Sequence, residues 1–177
     1  MNLWHDISEY QITPEKFMAV IEIPKGSKTK YELDKETGVL RLDRVLFTAT
    51  HYPQNYGFIP RTYGEDNDPL DVLVLCSEPI HPLVLVQCFP IGMINMQDSG
   101  KHDEKIIAVP CTDPTYTGIQ SVNDLPSHLF AEIEHFFTVY KQLEGKRTSV
   151  DTVNGRDEAV KAIEKAILSY RWKFTDL

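Results

Sequence analysis

The chain has 177 residues, of which 42% are hydrophobic and 25% are charged, and its formal net charge is −8. This composition predicts one globular domain over residues 1–177. The negative charge disfavours a nucleic-acid partner, because phosphate backbones are bound by clustered Lys and Arg side chains. No apolar run approaches the ~18 residues of a membrane span, so we expect no membrane partner.

The cysteines and the first residues bear on the compartment. Cys76, Cys88 and Cys111 lie in apolar stretches without C-x-x-C spacing. This pattern predicts three buried free thiols in a reducing environment rather than a disulfide framework or a zinc site. The first six residues, MNLWHD, lack the basic and apolar regions of a secretory signal. We therefore expect a cytoplasmic protein.

Short runs rich in β-branched residues, each bounded by Gly, Pro, Asp or Asn, occupy the first two-thirds of the chain. Lys30-Tyr31-Glu32 also alternates as a strand does, which places Lys30 and Glu32 on one face. Several short strands with turns between them predict a small closed barrel or a sandwich. The predicted strands are residues 17–24, 39–42, 57–60, 72–76, 84–89 and 106–109.

The last third of the chain changes to helical spacing. Apolar residues at helical intervals predict a helix over 129–143. Segment 124–126 offers an N-cap followed by proline before it, and Gly145 is a typical helix end after it. A second helix is predicted from residue 156 to about 170. Its expected inward side chains are Ala159, Val160, Ile163, Ile167 and Leu168. The predicted fold is mainly β, with helices packed on the outside of a barrel.

Three aspartates lie close together at the mouth of a predicted strand. Asp66, Asp68 and Asp71 fall within six residues, with Pro69 between them. Carboxylates this close repel one another unless cations neutralise them, and such hard oxygen ligands suit Mg²⁺, Mn²⁺ or Ca²⁺ better than Zn²⁺. The alternative is an acidic surface turn in which Asp serves turn chemistry. An EF-hand loop is excluded, because its sixth position would be Asp71 instead of glycine.

A second acidic segment, residues 98–105, lies between the strands predicted to end near Met96 and to start near Ile106. By itself it is typical of a solvated hairpin loop. If it lies beside the first cluster at a barrel rim, Asp98 and Asp103 add carboxylates, and two or more ions could be held a few ångströms apart.

Other polar side chains could complement an anionic ligand. Lys30, Arg44 and Lys141 are each compatible with an ordinary exposed position, and Lys141 could complement a helix dipole. Glu22 interrupts an apolar strand, where a buried carboxylate needs a cation or a hydrogen-bond network.

Two tyrosines, Tyr52 and Tyr56, flank turn residues just before a predicted strand. They are either aromatic core residues with a polar tip or phenolic donors to phosphate oxygens.

Taken together, these segments resemble the soluble family I inorganic pyrophosphatases of the short bacterial and plant type. The family signature is Asp, a small or polar residue, Asp-Pro, an aliphatic residue, Asp and an aliphatic residue, and it matches DNDPLDV at 66–72. The resemblance covers nearly the whole chain. Its other motifs are VIEIP at 20–24, KYE at 30–32, DR at 43–44, YP at 52–53, NYG at 55–57, Asp103 with Lys105, and YK at 140–141.

This resemblance implies an OB-like five-stranded β-barrel flanked by two main helices and assembled as a homohexamer. It implies hydrolysis of pyrophosphate to two orthophosphates by a metal-activated water. The implied cofactor is Mg²⁺, with several ions per active site and Mn²⁺ or Zn²⁺ as substitutes. The implied metal ligands are Asp66, Asp71 and Asp103, with Asp98 and Glu22 for ions that arrive with the substrate.

The resemblance also assigns the remaining roles. Asp68 is implied as the base, and Tyr56, Arg44 and Lys30 as further catalytic groups. The implied substrate-binding residues are Lys30, Glu32, Arg44, Tyr52, Tyr56, Lys105, Tyr140 and Lys141. One position departs from the pattern: many relatives carry a second acid directly after the residue matching Asp98, and here it is Ser99.

Three other functions remain as alternatives. A hydrolase of other anhydrides, such as nucleoside triphosphates or polyphosphate, would share the metal site, but the chain has no Walker A sequence. An OB-type nucleic-acid module would need a basic groove interleaved with aromatic residues. An acidic structural protein with a calcium-stabilised turn would need no catalytic residues.

Overall fold

The structure is a computed structural model that describes residues 1–174. These residues form eight strands and two α-helices. In chain order they are β1 Phe17–Ile23, β2 Thr29–Leu33, β3 Leu40–Val45, β4 Asn55–Phe58, β5 Asp71–Val74, β6 Leu85–Asp98, β7 Lys101–Pro110, α1 Ser127–Val139, β8 Thr148–Gly155 and α2 Arg156–Lys173.

Five strands form a closed ring. Antiparallel pairing joins β1 to β4 and β4 to β5, β5 then runs parallel to β7, and β7 pairs antiparallel with β6. The first half of β6 returns to β1, from Phe17 opposite Cys88 to Val20 opposite Leu85, and closes the ring. The predicted five-stranded barrel with two flanking helices is therefore confirmed.

Alternate residues of the central strands join different apolar clusters. Val72 of β5 and Ile106 of β7 pack with Ile163 of α2 in one cluster. Leu73 of β5 lies in a second cluster with Phe137 of α1. Successive strand side chains point to opposite faces, so burial of both faces explains why these strands are apolar throughout rather than alternating. Each fully buried aliphatic side chain contributes about 1.5–3 kcal/mol relative to exposure.

The segment that carries Asp98 and Asp103 is not the predicted hairpin loop. β6 continues to Asp98 and β7 begins at Lys101, so only Ser99 and Gly100 connect the strands. Both residues have positive φ, 53° and 81°, as the two-residue hairpin turn that matches strand twist requires. Most of the acidic segment is therefore rigid strand.

The helix predictions are correct in position but wrong in detail. The first helix ends at Val139, and a short 3₁₀ turn, Gln142–Glu144, follows before Gly145 adopts φ 72°. On α2, Leu168 is 56% exposed, although it was expected to be buried. Its place is taken by Tyr170, which shares the face of Ile163 and Ile167, because one helical residue turns through about 100°.

β8 was not predicted from the sequence. It pairs antiparallel with the outer half of β6, from Gly92 opposite Gly155 to Asp98 opposite Thr148. Its sequence, TSVDTVNG, is mostly polar, and none of its residues is fully buried. A strand without a buried apolar face gives no clear alternation signal, so this strand, which lies between the two predicted helices, was missed.

The cysteine prediction is partly wrong. Cys88 is buried and Cys76 is half-buried, but Cys111 is exposed, and all three are free. None of the helices within residues 1–174 is long and apolar enough to cross a bilayer.

Candidate active site

A cleft of about 200 Å³ opens where β1, the β2–β3 hairpin, the loop before β5, the β6–β7 hairpin and the end of α1 meet. Nearly all the site residues predicted from the sequence line it. They are Glu22, Lys30, Glu32, Tyr56, Asp66, Asp68, Asp71, Asp98, Asp103, Lys105, Tyr140 and Lys141. The two acidic segments, 37 residues apart from Asp66 to Asp103 in the chain, thus meet in one cleft.

The loop before β5 is folded tightly enough to present its aspartates together. The amide of Asp68 donates to Asp66 Oδ1 at 3.1 Å, and the amide of Gly64 donates to the carbonyl of Asp68 at 2.7 Å. A Cβ on Gly64 would stand 2.9 Å from Asp66 Oδ1, so a larger residue would displace that carboxylate. Asn67 adopts φ 72° at the tip, where asparagine is among the tolerated residues.

Lys105 forms the centre of the cleft floor. The parallel register of β5 and β7 sets it opposite Asp71, and its Nζ lies 2.8 Å from Asp71 Oδ2, 3.1 Å from Asp103 Oδ1 and 2.9 Å from Tyr56 Oη. Tyr56 in turn donates to Asp71 Oδ2 at 2.5 Å. Burial opposes the charge of Lys105, but Asp71, Tyr56 and Asp103 together raise its pKa well above the usual range.

The carboxylates around Lys105 are crowded and partly desolvated. Burial raises the pKa of Asp66, and the charges of Asp71, Asp68 and Asp103 add to that rise. Burial likewise raises the pKa of Asp103, with Lys105 opposing the effect. A protein tolerates such crowding where a cation is to be bound.

At the rim, Asp98 accepts a hydrogen bond from Lys141 and another from Ser99 Oγ at 3.0 Å. Burial acts against the charge of Asp98, but Lys141 outweighs it and lowers the pKa. Ser99, which stands where an acid was expected from the family resemblance, therefore contacts Asp98 directly. It also occupies a turn position with φ 53°.

Glu22 lies on β1 at the back of the cleft, with its carboxylate accepting the amide of Leu33 at 2.8 Å. Burial raises its pKa to about 8, which the Leu33 hydrogen bond only partly offsets. The sequence anticipated that this carboxylate needs a partner. The structure supplies a backbone donor from β2.

Arg44 and Tyr52 do not line the cleft. Arg44 Nη1 donates to Asp43 at 2.5 Å and its Nε to Glu144 at 3.1 Å, while Lys30 shares the same Asp43 oxygen at 3.1 Å. Arg44 Nη2 is buried and, within residues 1–174, has no hydrogen-bond partner.

Tyr52 is buried behind Tyr56, and their ring centroids are 5.4 Å apart. It packs against Phe136 of α1. It supports the cleft wall instead of contacting the cavity.

Trp4 and Lys35 line this cleft but were not singled out from the sequence. Lys35 donates to Asp68 Oδ1 from the β2–β3 turn. The sequence did contain a signal for Lys35. Asp34 and Gly38 are turn residues, so they predict a hairpin turn that carries Lys35 between the segments of Lys30 and Arg44. Trp4 gave no sequence signal.

Within residues 1–174, no three Asp, Glu, His or Cys side chains stand in an arrangement that would hold a metal ion. Lysine ammonium groups contact several of the cleft carboxylates: Lys105 bridges Asp71 and Asp103, and Lys35 contacts Asp68. The donor set still fits a divalent cation. Asp66, Asp71 and Asp103 offer only hard oxygen ligands on strand ends and a tight loop, as Mg²⁺ prefers.

Comparison with known proteins identifies the family. The family model described as inorganic pyrophosphatase matches residues 19–171. The chain belongs to the inorganic pyrophosphatase family. The resemblance to this family is thereby confirmed, as is the expectation of a phosphoric-anhydride hydrolase at the level of the family.

Individual relatives within the inorganic pyrophosphatase family match over most of the chain. An inorganic pyrophosphatase of Aquifex pyrophilus is 48% identical over 171 residues, which cover 95% of this chain and 97% of that protein. Soluble inorganic pyrophosphatase 2 of Chlamydomonas reinhardtii is 46% identical over 168 residues, covering 95% of this chain and 88% of that protein. The crystal structure of inorganic pyrophosphatase from Thermus thermophilus superposes with a TM-score of 0.91 at 39% identity, covering 97% and 99% of the two chains.

Proposed function

We propose that this chain hydrolyses pyrophosphate to two orthophosphates, using water activated at a Mg²⁺-loaded aspartate cluster. The proposal rests on one observation: carboxylates and ammonium groups line a single cleft together. The acids Asp66, Asp71 and Asp103 line it together with Lys105 and Lys141. A compact anion accompanied by divalent cations matches this mixture of charges.

The residues that would hold the first ions are Asp66, Asp71 and Asp103. Asp98 and Glu22 are the candidates for ions that accompany the substrate. When bound, several Mg²⁺ ions would lower the pKa of water and offset the charge of pyrophosphate, and Mn²⁺ or Zn²⁺ would be the substitutes to test. Lys105 contacts both Asp71 and Asp103, so we expect ion binding at these carboxylates to displace it from at least one of them.

Asp68 is the proposed general base. It lies in the same loop as Asp66, its carboxylate reaches the cleft, and its side chain is 45% exposed, so water has access to it. In the proposed reaction Asp68 accepts a proton from the attacking water. The water oxygen attacks one phosphorus in line with the bond to the leaving phosphate, and that bond breaks. No covalent intermediate with the chain is required.

The phosphate groups would be held by the cationic and phenolic side chains. Lys30, Lys141 and Tyr140 line the cleft, and they can neutralise the charge that grows on the leaving phosphate. Arg44 lies behind this layer; its Nη2 is buried and has no hydrogen-bond partner within residues 1–174, so it is the atom that we propose as a donor to a phosphate oxygen.

Tyr56 and Lys105 would position Asp71 and the substrate together, because both contact the same carboxylate oxygen. Glu32 and Tyr52 would take supporting roles. Glu32 is paired with Arg41 at 3.4 Å, and Tyr52 supports the ring of Tyr56.

The proposal includes one catalytic domain over residues 1–177, of which the last three lie outside the described part of the chain. It includes a cytoplasmic homohexamer without nucleic-acid or membrane partners. Support for assembly comes from exposed apolar side chains on and beside β3, which would be covered by a neighbouring copy. These are Val39, Leu42, Val45 and Phe47.

The test is phosphate release from pyrophosphate with Mg²⁺ titrated, with ATP and polyphosphate as alternative substrates. We expect turnover of pyrophosphate that rises with Mg²⁺ and disappears in excess chelator. Equal activity in chelator would refute the metal-dependent mechanism. Faster turnover of ATP or polyphosphate would favour a different anhydride as the substrate.

A further inference from the structure

Asp68 has a lysine partner of its own. Lys35 Nζ contacts Asp68 Oδ1, whereas the other cleft lysines contact other acids. Lys105 pairs with Asp71 and Asp103, Lys141 with Asp98, and Lys30 with Asp43. Both side chains are partly shielded, 33% exposed for Lys35 and 45% for Asp68. The contact is therefore a feature of the cleft rim and differs from an ion pair on the open surface.

The N-terminal segment, residues 1–7, holds Lys35 in this place. Asn2 Nδ2 donates to the carbonyl of Lys35 at 2.7 Å. The Lys35 ammonium also lies 5.7 Å from the ring centroid of Trp4, within the range of a cation–π contact. A backbone anchor and an aromatic platform, both from this segment, thus define where the lysine side chain can reach.

Trp4 is itself fixed in the structure. It is 6% exposed, and its indole Nε1 donates to the carbonyl of Thr62 at 2.9 Å. The amide of Arg61 donates to the carbonyl of Trp4 at 3.0 Å. Thr62 continues this connection, since its hydroxyl accepts the amide of Leu70 at 2.8 Å, beside the aspartate loop.

The β2–β3 turn is built to receive this segment. Asp34 Oδ1 accepts the amide of Thr37 at 2.8 Å and fixes the turn that carries Lys35. At its end Gly38 has φ 72°, and a Cβ there would lie 2.6 Å from the carbonyl oxygen of Met1. Only glycine permits this approach, so the close packing of segment and turn is specified by the sequence.

We infer that Lys35 is a positioning residue for Asp68, and that the N-terminal segment sets its place through Asn2 and Trp4. This inference rests on the proposed function, in which Asp68 is the base. In the chain, Asp68 stands between two other acids, Asp66 of the same loop and Asp71 at the start of β5. An ammonium on Oδ1 holds the carboxylate in one orientation and leaves Oδ2 to receive a proton from water.

The first experiment replaces Lys35 by Met, which keeps the length of the side chain and removes its charge. Misplacement of a catalytic group is expected to lower kcat about tenfold, while KM changes by no more than about twofold. Lys35→Arg should recover most of kcat. The matched control is Lys165→Met, since Lys165 pairs at 2.8 Å with Glu65 of the same loop but points into solvent. Equal losses in the control, or a loss confined to KM, would overturn the inference.

A second measurement does not depend on turnover. The chain has two tryptophans, Trp4 and Trp172, so a Trp172→Phe background reports Trp4 alone. Lys35→Met should shift the emission of Trp4, because the ammonium beside the indole is removed, and Lys165→Met should not. Unchanged emission on Lys35→Met would contradict the arrangement. If the parent protein fails to release phosphate, the proposed function fails, whereas this spectral test of the Lys35 arrangement still stands.

The third measurement addresses the N-terminal segment. Asn2→Ala should lower kcat in the same direction as Lys35→Met, and the double variant should be no slower than Lys35→Met, since both act through one contact. Independent, multiplying losses would show that the segment acts elsewhere. Thermal unfolding of all variants checks that they remain folded.

Discussion

Asp71 and Lys105 lie directly opposite one another on the parallel strands β5 and β7, and their side chains meet at 2.8 Å. The strand register alone brings a proposed metal ligand and a buried cation together. Tyr56 on β4 adds a third group to the same carboxylate oxygen. The proposed metal site is thus part of the barrel wall, and its geometry depends on the register of three strands.

Asp71→Asn should separate metal binding from folding. The amide keeps an acceptor for Lys105 and Tyr56 but loses the charge that a cation needs. We expect a folded protein with weakened Mg²⁺ binding in calorimetry and phosphate release lowered at least about 100-fold, as for loss of a group that acts in the transition state. The control is Glu65→Gln, an exposed carboxylate of the same loop. Near-normal turnover of Asp71→Asn would remove Asp71 from the ion-binding set.

Lys30→Ala should impair handling of the substrate and leave the ions in place. Lys30 lines the cleft and pairs with Asp43 at 3.1 Å, and neither residue belongs to the proposed ion ligands. Removing one charge-assisted contact of about 1.5–3 kcal/mol should raise KM roughly tenfold or more. Calorimetry with Mg²⁺ alone should give an affinity within about twofold of the parent. Lys28→Ala, a change just before the same strand, is the matched control. A large loss of Mg²⁺ affinity would contradict this assignment.

Glu22 should make the ion-free protein less stable at alkaline pH. The folded state keeps the Glu22 proton up to a pKa of about 8, whereas the unfolded chain loses it near the ordinary 4.5. Between these values the folded state binds more protons, so its free energy of unfolding falls as pH rises through that window and levels off above it.

Glu22→Gln stays neutral and should lack this decline. Tm should be measured in chelator from pH 5 to about 9. The Tm of the variant relative to that of the parent should rise with pH. A constant difference between the two proteins across this range would refute the protonated state of Glu22.

Asp113 should contribute stability without contributing to activity. Its carboxylate accepts the amides of Ser77 at 2.7 Å and Thr115 at 2.9 Å, which lowers its pKa. Asp113→Ala should cost about 1–2 kcal/mol, as for loss of a helix cap. The stabilisation is present above the ordinary pKa of 3.8 and is lost as pH falls through the lower pKa of the folded state. Urea unfolding at pH 7 and pH 3 measures this difference, and kcat should stay within about twofold of the parent.

The sequence by itself determined the features that depend on residues close together in the chain. Short apolar runs bounded by turn residues indicated strands of the barrel, and the spacing of Asp66, Asp68 and Asp71 indicated a hard-metal site. Glu22 could be singled out because a carboxylate inside an apolar strand needs a partner wherever the strand lies. These inferences depend on residues that are neighbours in the chain.

Tertiary structure decided which residues share the cleft and which charges pair. The contact of Lys35 with Asp68 joins a hairpin turn to a loop 33 residues away, and Trp4 reaches the same place from the first residues of the chain. Arg44 carries the family motif, yet it lies behind the cleft because Asp43 and Glu144 hold it there. Side-chain pairing across strands depends on register and closure of the ring, which no local spacing specifies.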